Sequence, residues 1–199
     1  QRHKVNTDYV RAVPNGMGTW LAVFDNNGDV YASVSRRPDL RPIGDILDEQ
    51  GDAIFRDADS IIIEIDLDKD VVKRVFKLAK EYGKKVFAVV SNMTIALERR
   101  DFLQSVDCLI CNVQEAGVLF SEDYSEMKPE QLKLIVAEKV RRARIPGMIV
   151  TMGGDGAVYA DQSGVNSWCP ARKVAVRDTT GAGDAFAAGA SIGLTYGKS

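Results

Sequence analysis

The sequence predicts an α/β protein, a doubly wound three-layer core carrying a small β-hairpin lid. Three observations predict it. From Asp59 onward, short continuous apolar runs alternate with amphipathic stretches of helical period, the pattern of strands covered on both faces and joined by crossover helices. Before that point, two β-rich runs flank an Asn-Gly turn, which reads as a hairpin because both turn residues tolerate positive φ. Near the end, a turn of Gly and Ala leads into the small-residue run Ala185 to Ser191, which reads as a helix.

Gln1 to Pro14 is polar, and His3 within it reads as a surface residue. Thr19 to Phe24 and Val30 to Val34 are the hairpin strands, with Asp25-Asn26-Asn27-Gly28-Asp29 between them. Trp20, Ala22 and Phe24 alternate with Leu21 and Val23, so the ribbon carries apolar side chains on both faces and needs something to lie on. It is expected to act as a lid and to offer a homodimer contact. Pro38, Pro42 and Gly44 are read as breaking the pattern before the core begins.

Ser60 to Ile65 is the first core strand, expected to be covered on both faces. Leu67 to Tyr82 follows as a helix closed by Gly83. Lys85 to Val90 is a strand, Ile95 to Leu103 a shorter helix, Asp107 to Cys111 the third strand, and Val113 to Phe120 a brief helix. Pro129 opens a longer helix to Ala143. Met148 to Met152 is the fourth strand, and Gly156 to Ala160 begins a hairpin excursion that ends near Val176. Strands alternating with helices imply right-handed crossovers, and ligands then sit at the carboxyl ends of the strands.

At 199 residues, 45% hydrophobic and 27% charged, the chain has the bulk of one sizeable soluble domain. A net charge of −2 leaves no electrostatic footprint for nucleic acid or an anionic membrane. No apolar run approaches membrane-spanning length, and no signal-peptide pattern opens the chain. The chain starts at Gln1 without Met and stops just after a helical pattern, so it is read as one domain incomplete at both ends. In this reading the lid hairpin spans about 13–37 and the α/β core about 50–199. Cys108 and Cys111 have C-x-x-C spacing, but strand positions i and i+3 face opposite sides of a sheet. Together with Cys169 they are read as buried small hydrophobes in a reducing cytoplasm.

Three stretches carry candidate chemistry, each just after a strand or opening a helix. In Asp178-Thr179-Thr180-Gly181-Ala182-Gly183-Asp184, backbone N–H groups can crowd a phosphate with no side chain in the way, and the helix adds its positive end. Asp184 falls in the first turn, where a carboxylate can reach a substrate hydroxyl. An anion cradle beside a base is what phosphoryl transfer needs. A glycine-rich connection with a solvated first-turn acid would explain Gly-Ala-Gly alone. Asn112-Val113-Gln114-Glu115 puts two polar side chains together at a helix start, either as a capping box or as a carboxylate holding Mg²⁺ through water. Thr151-Met152-Gly153-Gly154-Asp155-Gly156 is either a plain hairpin turn or backbone laid against a nucleotide.

The full run D-T-T-G-A-G-D-A-F-A-A-G-A resembles the C-terminal signature of the ribokinase (PfkB) family of carbohydrate and nucleoside kinases. Asn112 to Glu115 matches that family's N-x-x-E element, and Thr151 to Gly156 its T-x-G-x-x-G segment. The resemblance covers Thr19 to Gly197 and implies a ribokinase-like fold that transfers the γ-phosphoryl of ATP to a primary hydroxyl of a sugar or nucleoside. By resemblance, Asp184 takes the hydroxyl proton, and the N–H groups of Gly181, Ala182 and Gly183 hold the developing charge. Glu115, with Asn112, places Mg²⁺, while Thr151, Gly153, Gly154 and Gly156 line ATP. Asp178 and Thr180 help bind a monovalent cation such as K⁺.

Gly18 to Asp25 resembles the lid segment of pseudouridine kinases, which implies acceptor contacts from Thr19. Val90 to Ala96 is similar to theirs too, although Ala88-Val89 stands where they carry Asp-Pro. Pseudouridine, ribose and fructose are the implied acceptor class. The family's Gly-Gly-rich sugar-gripping element and its adenine-closing C-terminal stretch have no match here. A non-catalytic nucleotide- or sugar-binding protein of the same fold is the alternative. A dinucleotide-binding dehydrogenase is weaker, since no G-x-G-x-x-G follows the first core strand.

Overall fold

The computed structural model describes residues 5–14, 16–24, 30–98 and 100–197. The turn expected at Asp25 to Asp29, and His3, lie outside the described residues. The chain forms two compact units, 1–51 and 52–199.

The first unit contains the expected hairpin. β1 (Thr19–Phe24) pairs antiparallel with β2 (Val30–Arg36), with Thr19 opposite Arg36 and a register shift between Val23 and Phe24. Neighbouring strand residues point to opposite faces. Trp20 is 53% and Leu21 66% exposed, so both faces of the ribbon are open. The stretch read as pattern-breaking is instead the start of helix α1 (Arg41–Asp57). Pro42 sits in its first turn, where the missing N–H would have no intrahelical partner anyway. Asp39 anchors this start. It accepts from the Arg41 backbone N–H at 3.1 Å and from the guanidinium at 2.7 Å, and the guanidinium holds its carboxyl down at about 2.

The second unit is built on a six-stranded mixed sheet in the order β3-β4-β5-β6-β7-β8. The strands are β3 (Ser60–Glu64), β4 (Lys85–Val89), β5 (Cys108–Asn112), β6 (Gly147–Thr151), β7 (Ala157–Asp161) and β8 (Asn166–Cys169). The first four run parallel, β7 returns antiparallel to β6, and β8 is antiparallel to β7. Between the parallel strands lie α2 (Lys69–Glu81), α3 (Met93–Leu97), α4 (Arg100–Leu103), α5 (Val113–Phe120) and α6 (Pro129–Ala143). The strands are added in one direction, so right-handed crossovers put these helices on one face. Buried Val72, Leu132, Val136 and Val140 point from them into the core. Helix α7 (Ala182–Tyr196) supplies the third layer, and its Ala187 packs with Phe87, Cys108, Ile110, Ile149 and Ala157.

Several boundaries are set by neighbours rather than local pattern. β3 has a single strand neighbour, so Ile62 is 49% exposed and the strand is not covered on both faces as expected. The helix expected over Ile95 to Leu103 is two short pieces, α3 and α4. The hairpin excursion stops at Cys169, which is exposed rather than buried, because β8 is the outer strand of the sheet. Cys108 and Cys111 are buried and free, as expected. No helix among the described residues is long and apolar enough to cross a membrane.

Gly156 lets β7 leave the sheet edge against the end of β8. It has φ 98° and ψ −139°, and a Cβ there would lie 2.0 Å from the Cys169 carbonyl oxygen. Gly156→Ala is expected to destabilise the protein by about 2 kcal/mol or more, the scale of forcing a side chain into a glycine-only conformation. Chemical denaturation measures this, and an unchanged midpoint would refute the close crossing.

Candidate active site

Helix α7 is tied down at its far end. The Tyr196 hydroxyl donates to Asp59 Oδ2 at 2.6 Å, Thr195 Oγ1 lies 2.8 Å from Ser60 Oγ, and Lys85 Nζ donates to the Leu194 carbonyl at 3.3 Å. Those partners stand at the beginnings of β3 and β4, so the helix runs against the parallel strands. Its amino end therefore lies over their carboxyl ends, where open α/β sheets bind ligands.

At that end Gly181 takes φ 76° and no side chain caps the helix. The intrahelical ladder begins with Ala185 N–H donating to the Gly181 carbonyl at 2.9 Å, so the amides of Gly183 and Asp184 precede it. The Ala182 N–H donates back to the Thr179 carbonyl at 3.0 Å. Of the predicted cradle, Ala182 is thus engaged in shaping the turn. Asp178 shapes it as well, accepting from the Thr180 N–H at 2.8 Å. That bond lowers its carboxyl below the usual range.

Asn112 caps α5. Its Oδ1 accepts from the Glu115 N–H at 2.8 Å, while Glu115 Oε2 accepts from the Asn112 N–H at 2.7 Å. The tetrapeptide is therefore a complete capping box. Glu115 also faces a cavity, and burial pushes its carboxyl above the usual range despite the bond from Asn112.

Two cavities lie side by side along this edge. The smaller, about 250 Å³, is lined by Glu64, Ser91, Asn112, Glu115 and Asp184 over a floor that includes Ile110. The larger, about 800 Å³, runs between the α7 face and the segment Cys169 to Arg172, with Thr151, Gly153 and Gly156 at its edge. Both are lined by Thr151 and Gly183, where they meet. The glycine stretch after β6 is a hairpin loop with a 3₁₀ turn at Gly153–Asp155, and it also borders this larger space. The Trp168 indole N–H holds that loop by donating to the Asp155 carbonyl at 2.8 Å.

The fold thus brings Asn112, Glu115, Thr151, Gly153, Gly156, Gly183 and Asp184 to one edge, with Ala182 lining the larger cavity. Gly154 is exposed on the same loop, Gly181 caps the helix, and Asp178 and Thr180 lie on the approach to it, outside both linings. Thr19 belongs to the first unit. Among the described residues no group of three or more His, Cys, Asp or Glu is placed to hold a metal. Sequence reading missed Glu64 and the Cys169 to Arg172 wall, and it likened Val90 to Ala96 to pseudouridine kinases without giving Ser91 a role. The signal for Glu64 was present, as a charge inside an isoleucine run.

Residues 1–199 match the model of the pfkB family carbohydrate kinase. The guanosine-inosine kinase of Exiguobacterium acetylicum is 33% identical over 196 residues, covering 98% of this chain and 64% of that protein. The pseudouridine kinase of Escherichia coli is 27% identical over 172 residues, covering 86% of this chain and 53% of that protein. The purine-nucleoside enzyme is the more similar of the two, against the expectation of greatest likeness to pseudouridine kinases. The structure of Arabidopsis thaliana ribokinase complexed with ribose and ATP shares the fold, with a TM-score of 0.70 at 21% identity over 92% of this chain and 57% of that one. The chain spans from about a quarter to two thirds of the length of the curated relatives it matches.

Proposed function

The chain belongs to the pfkB family of carbohydrate kinases, and we propose that it carries the catalytic core of an ATP-dependent kinase acting on a primary hydroxyl of a sugar or nucleoside. The observation that carries this reading is the meeting of two cavities at Thr151 and Gly183, under the uncapped end of α7. ATP occupies the larger cavity and the acceptor the smaller, so the γ-phosphoryl crosses where they join. The amides of Gly181, Gly183 and Asp184 and the helix dipole stabilise charge that builds on the transferring group. Asp184 takes the acceptor's proton. Asp178 and Thr180 would contribute oxygen ligands to a monovalent cation, whose charge would support the same turn.

The donor set fits Mg²⁺. That ion keeps several waters and takes one or two carboxylates plus substrate phosphates, and needs no all-protein cage. Glu115 offers such a carboxylate, held in one rotamer by Asn112. Mg²⁺ would supply charge neutralisation of the phosphates. The likeness to a guanosine-inosine kinase favours a ribonucleoside acceptor, and assay of inosine, guanosine, pseudouridine, ribose and fructose with ATP tests the reading. ADP formation with none of them would overturn it.

In the full-length protein, Asp184→Asn should keep the fold and nucleotide affinity and lower kcat by roughly 10²-fold or more, the usual scale for losing a general base. A kcat within a few-fold of wild type would remove Asp184 from the chemistry. Glu115→Gln should raise the Mg²⁺ concentration for half-maximal rate while the acceptor KM changes much less. An unaltered magnesium titration would leave Glu115 as a helix cap only.

The hairpin with its open apolar faces is the part proposed to shield the reaction from water, with Thr19 contributing to acceptor binding. Hydrogen exchange of residues 19–23 and 31–34 should slow when acceptor and a non-hydrolysable ATP analogue are both bound. Equal protection with and without ligands would mean the ribbon is ordinary structure.

A further inference from the structure

We propose that Glu64 binds the acceptor, its carboxyl group receiving hydrogen bonds from secondary hydroxyls of a ribose-type substrate whose primary hydroxyl lies at Asp184. The proposal rests on the kinase reading above and names a residue that reading does not use.

Glu64 ends β3 within the run Ile61-Ile62-Ile63-Glu64-Ile65. A charged group there is costly unless it is matched by partners. Parallel register sets Glu64 beside Val89, Val89 beside Ile110, and Ile110 beside Ile149. Registered neighbours share a face, and Val89, Ile110 and Ile149 pack on the α7 side. The Glu64 side chain therefore lines the smaller cavity together with Asp184 and Ala187 of α7.

Its surroundings leave the carboxyl group incompletely satisfied. The Ser91 hydroxyl and backbone N–H donate to it, and its carboxyl also shares a hydrogen bond with the Asp66 side chain. Nevertheless Oε1 is buried with no hydrogen-bond partner. Burial, and then the negative charge of the adjacent buried Asp66, push its carboxyl above the ordinary range. A group kept at such cost, on the wall of a cavity that also holds the proposed base, is placed for a ligand rather than for stability.

Position selects the ligand. Asn112 lies two strands from Glu64 and two residues further along, which separates the two backbones by about 12 Å at ordinary strand spacing and rise. Glu64 is thus at the end of the cavity away from Glu115 and the phosphate junction. No group of three or more His, Cys, Asp or Glu among the described residues is placed to hold a metal here. What remains is the far side of the acceptor. A cavity of about 250 Å³ is below the usual range of about 300–1,000 Å³ for larger ligands and suits one sugar ring. Sugar hydroxyls are neutral donors, and a carboxylate accepts them in short charge-assisted bonds.

The test uses the full-length protein. Binding of inosine, pseudouridine and ribose is measured by calorimetry, and the tightest binder is carried forward with its 2-deoxy and 3-deoxy analogues. Glu64→Gln, shown to unfold at the wild-type temperature, should raise Kd and KM for the intact sugar roughly 10- to 100-fold, the scale of a lost hydrogen bond to a charged group. The half-saturating Mg²⁺ concentration should stay the same, and kcat should stay within a few-fold. For the deoxy analogue that lacks the bonded hydroxyl, wild type and variant should differ by less than about threefold. Equal penalties on intact and deoxy sugars would overturn the proposal, as would an unchanged Kd or failure of all three sugars to bind. Turnover with a Glu64-independent Kd sinks this proposal and leaves the kinase reading standing. Glu64-dependent binding without ATP turnover does the reverse.

Discussion

The arrangement depends on how α7 lies across the sheet. Its carboxyl end is held by Asp59, Ser60 and Lys85 at the starts of β3 and β4, and Ala187 is buried among Phe87, Ile110 and Ile149. With that end fixed, the first turn can only overhang the carboxyl edge of the parallel strands. A helix of 15 residues spans about 22 Å at 1.5 Å per residue, while a five-residue strand spans about 17 Å. The helix is therefore long enough to project its uncapped amides past the strand ends. Small residues at Ala182, Ala185, Gly189 and Gly193 leave room beneath it for the larger cavity.

This explains which parts of the molecule were legible in the sequence. The helices α5 and α6 and the core strands follow their apolar period closely, because each is defined by its own buried stripe. The placing of Asp184 at the start of a helix was legible because the Gly-Ala-Gly turn before it marks that start. Helix α1 was not, because Pro42 and Gly44 look like breakers when the helix start at Arg41 is unknown. The exposure of Ile62 was equally hidden, since the neighbours of β3 among the described residues are set by sheet order, which no local window contains.

Glu64 was missed for a related reason. A lone charge in an isoleucine run acquires meaning only from the register that sets it beside Val89, and from the helix that arrives more than a hundred residues later. Ser91 and the wall at Cys169 to Arg172 likewise join the cavities through tertiary placement alone. The stretches proposed for transfer are short local motifs because they are built from helix ends and tight turns. The groups that surround it are drawn from whichever strands the topology brings alongside.

The capping box at Asn112 and Glu115 shows why a structural and a functional reading of one motif need not compete. As a cap it satisfies two backbone donors and is worth about 1 kcal/mol to the helix. Those same bonds fix the Glu115 rotamer toward the cavity, so the conformational entropy of ordering that carboxylate is lost on folding rather than on binding. Burial works the other way, raising the carboxyl's proton affinity and penalising its charged form. On the kinase reading proposed above, a cation arriving with the nucleotide phosphates would relieve that penalty, so affinity would be gained from a cost the fold already carries. The helix cap thus holds the carboxylate in place until its charge is matched.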